Sequence, residues 1–309
     1  MNLHLQKRRG VLMLKFNKML LSSLMFVCVI FLYSCNSNVK DSTTKSESKI
    51  NVAVSIVPEE TFVKEVGGDK VNVVTMIPSG QSPENYAPTT DIMEELSNSS
   101  LYFSIGVPTE NANILPKIGD FNKEIKIVNM ADEVSKVYSE RKFASGERDP
   151  HMWLSPKRAK VIVETMAKEL SVVDPNNADY YKTNSENYIK KLDKLDEDIK
   201  SSLSLLKAKD FICYHPAFGY FADDYGLQMT ALENEGKEAT IEDFKKTIDF
   251  AKEKGIKAIF YQAEIDSKQA KSFATEINGK AEMVQPLASD YIGNLEKMAE
   301  TFKQVMEVK

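Results

Sequence analysis

The chain has 309 residues, 42% of them hydrophobic and 28% charged, with a formal net charge of −5. A chain of this length buries a full core and suggests two domains of about 100–150 residues each, which excludes a fibrous or disordered protein. Its lysines are interleaved with acidic residues and form no basic block, so nucleic acid is excluded as a partner.

The first segment to carry a signal is KFNKMLLSSLMFVCVIFLYSCNSN. Lys15 and Lys18 lead an apolar run that begins at Leu20, and Leu32, Tyr33 and Ser34 precede Cys35, the pattern of a secretory signal peptide. Leucine, any residue, a small residue and cysteine in this order resemble the bacterial lipobox. Residues 1–34 are therefore expected to be removed, leaving Cys35 to carry lipid at the outer face of a membrane, with Met13 as an alternative start. The competing reading is a single transmembrane helix, for which the run is short. Residues 35–49 are polar and read as a flexible tether. Cys28 lies in the signal run, so Cys213 is the one cysteine of the folded part and an intramolecular disulfide is excluded.

From Ile50 the pattern alternates between strand and helix. INVAVSI is rich in valine and isoleucine, PEETFVKEVGG turns helical and stops on paired glycines, VNVVTMI repeats the strand, TTDIMEELSNSS the helix and LYFSIGV the strand. KIVNMA follows, and KRAKVIVETMAKELSVVDP is amphipathic up to its proline. Such alternation predicts a parallel sheet flanked by helices. Residues 177–206 contain neither glycine nor proline, and Tyr181, Tyr188, Leu192, Leu195, Ile199 and Leu203 recur at helical spacing. They predict one helix of about 45 Å. DFICYHP restarts the alternation, which continues through LQMTAL, a helix from Thr240, KAIFYQ, another helix and AEMVQPL. The fold class expected is α/β, with two Rossmann-like lobes at 50–176 and 207–309 joined by the rigid helix 177–206. A single α/β domain with one long surface helix is the alternative.

Histidine is scarce: once His4 is removed with the leader, only His151 and His215 remain. His151 sits in RDPHMWLSP, where Pro150 fixes the backbone and Trp153 adds bulk. His215 sits in CYHPAFGYFADDYGL directly after a strand, at the carboxyl edge of an α/β lobe where side chains emerge toward a crevice. Each alone is equally a packed histidine or a ligand. Two at the edges of two lobes are placed to face one another, and carboxylates would complete a metal site. By position Glu84 in SGQSPENYAPT and Asp290 in PLASDYIGNLEKM project from the same edge. For either one, a solvated loop position or a helix cap is the competing reading. Gln262 and Glu264 in FYQAEID could support the site from behind, and Tyr86, Trp153, Tyr214 and Phe218 could wall it, although an exposed turn and plain core are the simpler readings.

The ordered set SGQSPENYAPT, DPHMWLSP, YHPAFGYFADDYGL and PLASDYIGNL resembles the solute-binding lipoproteins of bacterial zinc and manganese ABC importers, from about residue 50 to the C-terminus. The resemblance implies a receptor outside the membrane that captures one divalent ion, Zn2+ or Mn2+ with Fe2+ as a further candidate, in the interlobe cleft and delivers it to an ABC permease. It also implies no catalysis, a monomer, a lipid anchor and His151, His215, Asp290 and Glu84 as the metal ligands. Glu84 is the departure, because the family usually places histidine in that slot. Two imidazoles and two carboxylates would form a harder site than three imidazoles and lean toward manganese or ferrous iron, while the affinity order favours zinc. A metal-dependent hydrolase and a surface adhesin on the same fold are the rival functions; no HExxH signature supports the former.

Overall fold

The computed structural model describes residues 49–233, 237–265 and 268–307. They all fall in one compact unit, Ser48–Lys309. The leader, Cys35 and all of the tether but Lys49 lie outside the described residues.

The N-terminal lobe is built on β1 (Ile50–Val54), β2 (Val71–Thr75), β3 (Leu101–Ser104) and β4 (Lys126–Asn129). The strands pair in the order β2-β1-β3-β4, all parallel. Helices α1 (Val57–Gly67), α2 (Thr90–Ser97) and α3 (Leu115–Phe121) connect them, and α4 (Met130–Ser135) follows β4. Every residue of β3 and all of β1 but Asn51 are buried, as expected where helices cover both faces of a parallel sheet. Two further helices follow, α5 (Pro156–Val173) and α6 (Ala178–Ser204). The C-terminal lobe repeats the plan with β5 (Asp210–Cys213), β6 (Gln228–Ala231), β7 (Ala258–Gln262) and β8 (Lys280–Val284) in the parallel order β6-β5-β7-β8. Its helices are α7 (Gly219–Tyr225), α8 (Ile241–Lys254) and α9 (Lys268–Glu276), and α10 (Tyr291–Glu307) follows β8.

Helix α6 spans 27 residues, about 40 Å, slightly less than the stretch expected, because Asn177 ends a preceding 3-10 turn and Leu205 and Leu206 lie beyond its last residue. Tyr181, Tyr188, Leu192, Leu195, Ile199 and Leu203 form its buried stripe. That stripe packs against α1, α5 and α10 while the opposite face is exposed, so the helix is an amphipathic spine with one face in the core. One apolar cluster runs from Val52 and Phe103 of the first sheet through Leu192 and Leu195 to Phe211 and Phe260 of the second. Direct hydrogen bonds cross between the lobes as well. Trp153 Nε1 donates to the Pro286 carbonyl at 3.0 Å, Tyr291 Oη to that of Trp153 at 2.6 Å and Thr61 Oγ1 to that of Ser289 at 2.7 Å. These bonds tie α1 and the turn at Trp153 to the segment that leads into α10.

Candidate metal site between the lobes

Glu84 enters the cleft from the loop after β2. A turn at Ser82 shapes that loop, with Tyr86 N donating to the Ser82 carbonyl at 3.2 Å and Glu84 N to Ser82 Oγ at 3.3 Å. The segment that follows β3 staples it from the side: Thr109 N donates to the Pro83 carbonyl at 3.0 Å and Asn113 Nδ2 to that of Tyr86 at 2.8 Å. Glu110 anchors the staple, accepting from the amides of Ile105 and Gly106 at 2.8 Å each. Burial raises the Glu110 carboxyl to about 7 against these bonds.

His151 follows a short bridge between Lys142 and Arg148. Asp149 Oδ1 accepts from the His151 amide at 3.0 Å and lies 2.8 Å from its Nδ1, so one carboxylate sets both backbone and ring. The other oxygen of Asp149 lies 3.3 Å from Arg141 Nε, and Arg141 reaches across to Asp223 of the C-terminal lobe at 2.7 Å. Gly219 of α7 lies under this pair: a Cβ there would fall 2.2 Å from Arg141 Nε and 2.7 Å from Asp149 Oδ2. His215 emerges two residues beyond β5, with its Nδ1 against the Glu233 carboxylate. Trp153 packs on His151 with ring centroids 5.1 Å apart.

The three donors converge. His151 Nε2 and His215 Nε2 are 3.1 Å apart, and Glu84 Oε1 is 3.3 Å from His215 Nε2. Two ligands each about 2.1 Å from one ion at a tetrahedral angle would stand about 3.4 Å apart, so the triangle fits a single divalent metal. Both imidazoles are buried, at 4% and 3% exposure, while Glu84 is half-buried. Beyond the triangle a cavity of about 450 Å3 opens between Gly106, Asn111, Phe143 and Arg148. Burial lowers the basicity of His215, but Glu233 and Glu84 outweigh it and push its pKa up to about 9. Burial likewise raises the Glu84 carboxyl, yet the hydrogen bond to His215 and the field of both imidazoles bring it below its ordinary value.

Asp290 is not brought to this site. It is exposed at the start of α10, where its Oδ1 accepts from the Gly293 amide at 3.1 Å and its carbonyl accepts from Asn294 at 3.0 Å. Its carboxylate thus caps one orphan amide of a helix terminus. Gln262 is buried at the end of β7, and Glu264 is partly buried with an Oε2 that has no hydrogen-bond partner among the described residues. The carboxylates behind the histidines are Asp149 and Glu233. Asp149 was legible from its place two residues before His151; Glu233 depends on strand register and has no local signal. Tyr214 and Phe218 are core residues, and the wall of the cleft beside His151 comes from Trp153 and from Phe143, which the sequence did not single out.

Two parallel lobes on a shared helical spine, with one cluster of donors between them, define a two-lobed solute-binding protein. Residues 52–305 match the family described as zinc-uptake complex component A, periplasmic, and the chain belongs to that family. It is 29% identical over 273 residues to the high-affinity zinc uptake system protein ZnuA of Bacillus subtilis, covering 84% of this chain and 86% of that one. Similarity to the manganese ABC transporter substrate-binding lipoprotein PsaA of Streptococcus mitis is 28% over 263 residues, 82% and 84% of the two chains. Among solved structures, a crystal structure of ZnuA superposes with a TM-score of 0.79 at 31% identity, over 84% of this chain and all of that one.

Proposed function

We propose that this chain is an extracytoplasmic receptor that binds one divalent transition metal through Glu84, His151 and His215 and hands it to an ABC permease. The observation that carries the reading is the convergence of two imidazoles and one carboxylate, from three separate segments, on one triangle with edges of 3.1 and 3.3 Å. The relatives support the rest: one is named for high-affinity zinc uptake and the other as a manganese ABC transporter substrate-binding lipoprotein. Two imidazoles and one carboxylate are a borderline donor set of the kind zinc takes, and without Asp290 the site loses the second carboxylate that would favour a harder ion. The cargo we propose is therefore zinc ahead of manganese or ferrous iron. The protein acts as a monomer outside the cytoplasmic membrane, held there by lipid on Cys35, a reading supported by the lipobox-like sequence and by the lipoprotein name of the streptococcal relative.

Competitive titration of zinc and manganese into the wild type and Glu84→Gln tests this. The wild type is expected to bind zinc at least about 100-fold more tightly than manganese, as the affinity order for such donors requires. The amide keeps the shape of Glu84 and loses the charge, so both affinities should fall by about 100-fold. Unchanged affinity for both metals in Glu84→Gln would remove that residue from the ligand set.

A further inference from the structure

The second sheet places an acidic residue beside His215 that is distant from it in sequence. Strands β5 and β6 pair in parallel with Cys213 opposite Ala231. The ladder continues past both strand ends, with Leu232 N donating to the Cys213 carbonyl at 2.8 Å and Glu233 N to that of Tyr214 at 2.9 Å. His215 and Glu233 therefore stand at matching positions, each two residues beyond the paired Cys213 and Ala231. Glu233 is 8% exposed, and its Oε1 is in direct contact with His215 Nδ1. A buried carboxylate needs a partner to offset its desolvation, and the imidazole N–H is one.

We propose that Glu233 is a positioning residue of the metal site: by holding the proton of His215 on Nδ1, it turns the Nε2 lone pair toward Glu84 and His151 and fixes the ring there. The inference rests on the metal-capture reading. A neutral imidazole carries one proton, and if that proton occupies Nε2 the nitrogen facing the cleft cannot ligate. A carboxylate at Nδ1 settles the tautomer and makes Nε2 a stronger donor. In the other lobe Asp149 stands in the same relation to His151, at 2.8 Å from its Nδ1. The two buttresses have different origins. Asp149 is tied to its histidine by two residues of chain, whereas Glu233 is tied by the pairing of two strands, so the donor geometry of His215 depends on the integrity of the β5/β6 edge.

The test compares wild type, Glu233→Gln and Glu233→Ala by zinc affinity in chelator competition, by nitrogen-15 histidine spectra of the zinc-loaded protein and by melting of the metal-free protein. In the wild type both histidines should show a hydrogen-bonded Nδ1 proton. Glu233→Ala should lose that of His215 and bind zinc about 10–100-fold more weakly, the usual cost of removing such a partner. Glu233→Gln retains a carbonyl acceptor and should lose about fivefold; it decides the matter if the alanine variant does not fold. A role confined to stability would lower the metal-free melting temperature and leave the spectrum and the affinity alone. Zinc affinity within about twofold of wild type, with both proton signals kept, would overturn the assignment of Glu233. A wild type that binds no zinc would overturn the metal-capture reading and this inference with it.

Discussion

At the scale of single residues, the carboxylates of Glu233 and Glu84 outweigh the cost of burial and favour the charged form of His215 in the metal-free site. His215 is expected to be protonated at neutral pH, since Glu233 and Glu84 push its pKa up to about 9. The raised value means that this contribution to the stability of the metal-free fold is fully present below about 6.5, the unfolded value, and is lost as pH rises through about 9. A metal ion must displace that proton, so zinc affinity should rise by about tenfold per pH unit from about pH 7 and level off near pH 9. Titration at fixed free zinc across this range checks it, and an affinity independent of pH would contradict it. The histidines were legible because they are scarce and stand in specific phrases, and Glu84 because its loop has to follow a strand at the edge that bears them. Asp290 is not among the donors that meet in the cleft, and there is a physical reason the sequence pointed to it. An aspartate just ahead of an amphipathic helix meets the requirement of a helix cap as well as that of a ligand, and only the fold decides between them.

At the scale of elements, periodicity carried the strands and most of the helices between them, while α3 and α10 were not read from it. Valine-rich runs such as INVAVSI can only be buried strands when helical segments separate them, and the Tyr181-to-Leu203 stripe of α6 fixes which face is buried. What the sequence could not show is which edges meet. Arg141 joins Asp149, the partner of His151, to Asp223 on α7, and this bridge exists because Gly219 presents no side chain to it. Gly219→Ala would place a methyl group 2.2 Å from Arg141 Nε and 2.7 Å from Asp149 Oδ2. The arginine has to move and Asp149 with it, so we expect a loss of about 1–3 kcal/mol in stability together with a several-fold fall in zinc affinity. Thermal melting and metal titration of the variant check both effects, and the absence of either would show that the bridge does not reach the metal site.

At the scale of the molecule, the lobes fall in one compact unit around the spine. Their apolar cluster is continuous through α6, and on the cleft side they are joined by Trp153 to Pro286 and Tyr291 to Trp153. The N-lobe pair Lys157 and Arg158 holds Asp224 of α7 at 2.5 and 3.0 Å. Donors from both lobes therefore stand at nearly their binding distances before any ion arrives, which reduces the ordering that capture must supply. This cooperation was the least legible feature, because none of the contacts that create it lies within one element. The most direct test of the account is a crystal structure of the zinc-loaded protein with anomalous diffraction at the zinc edge. One peak is predicted in the cleft, about 2.0–2.2 Å from Nε2 of His151, Nε2 of His215 and a carboxylate oxygen of Glu84. A peak at Asp290, or one that leaves out either histidine, would contradict it.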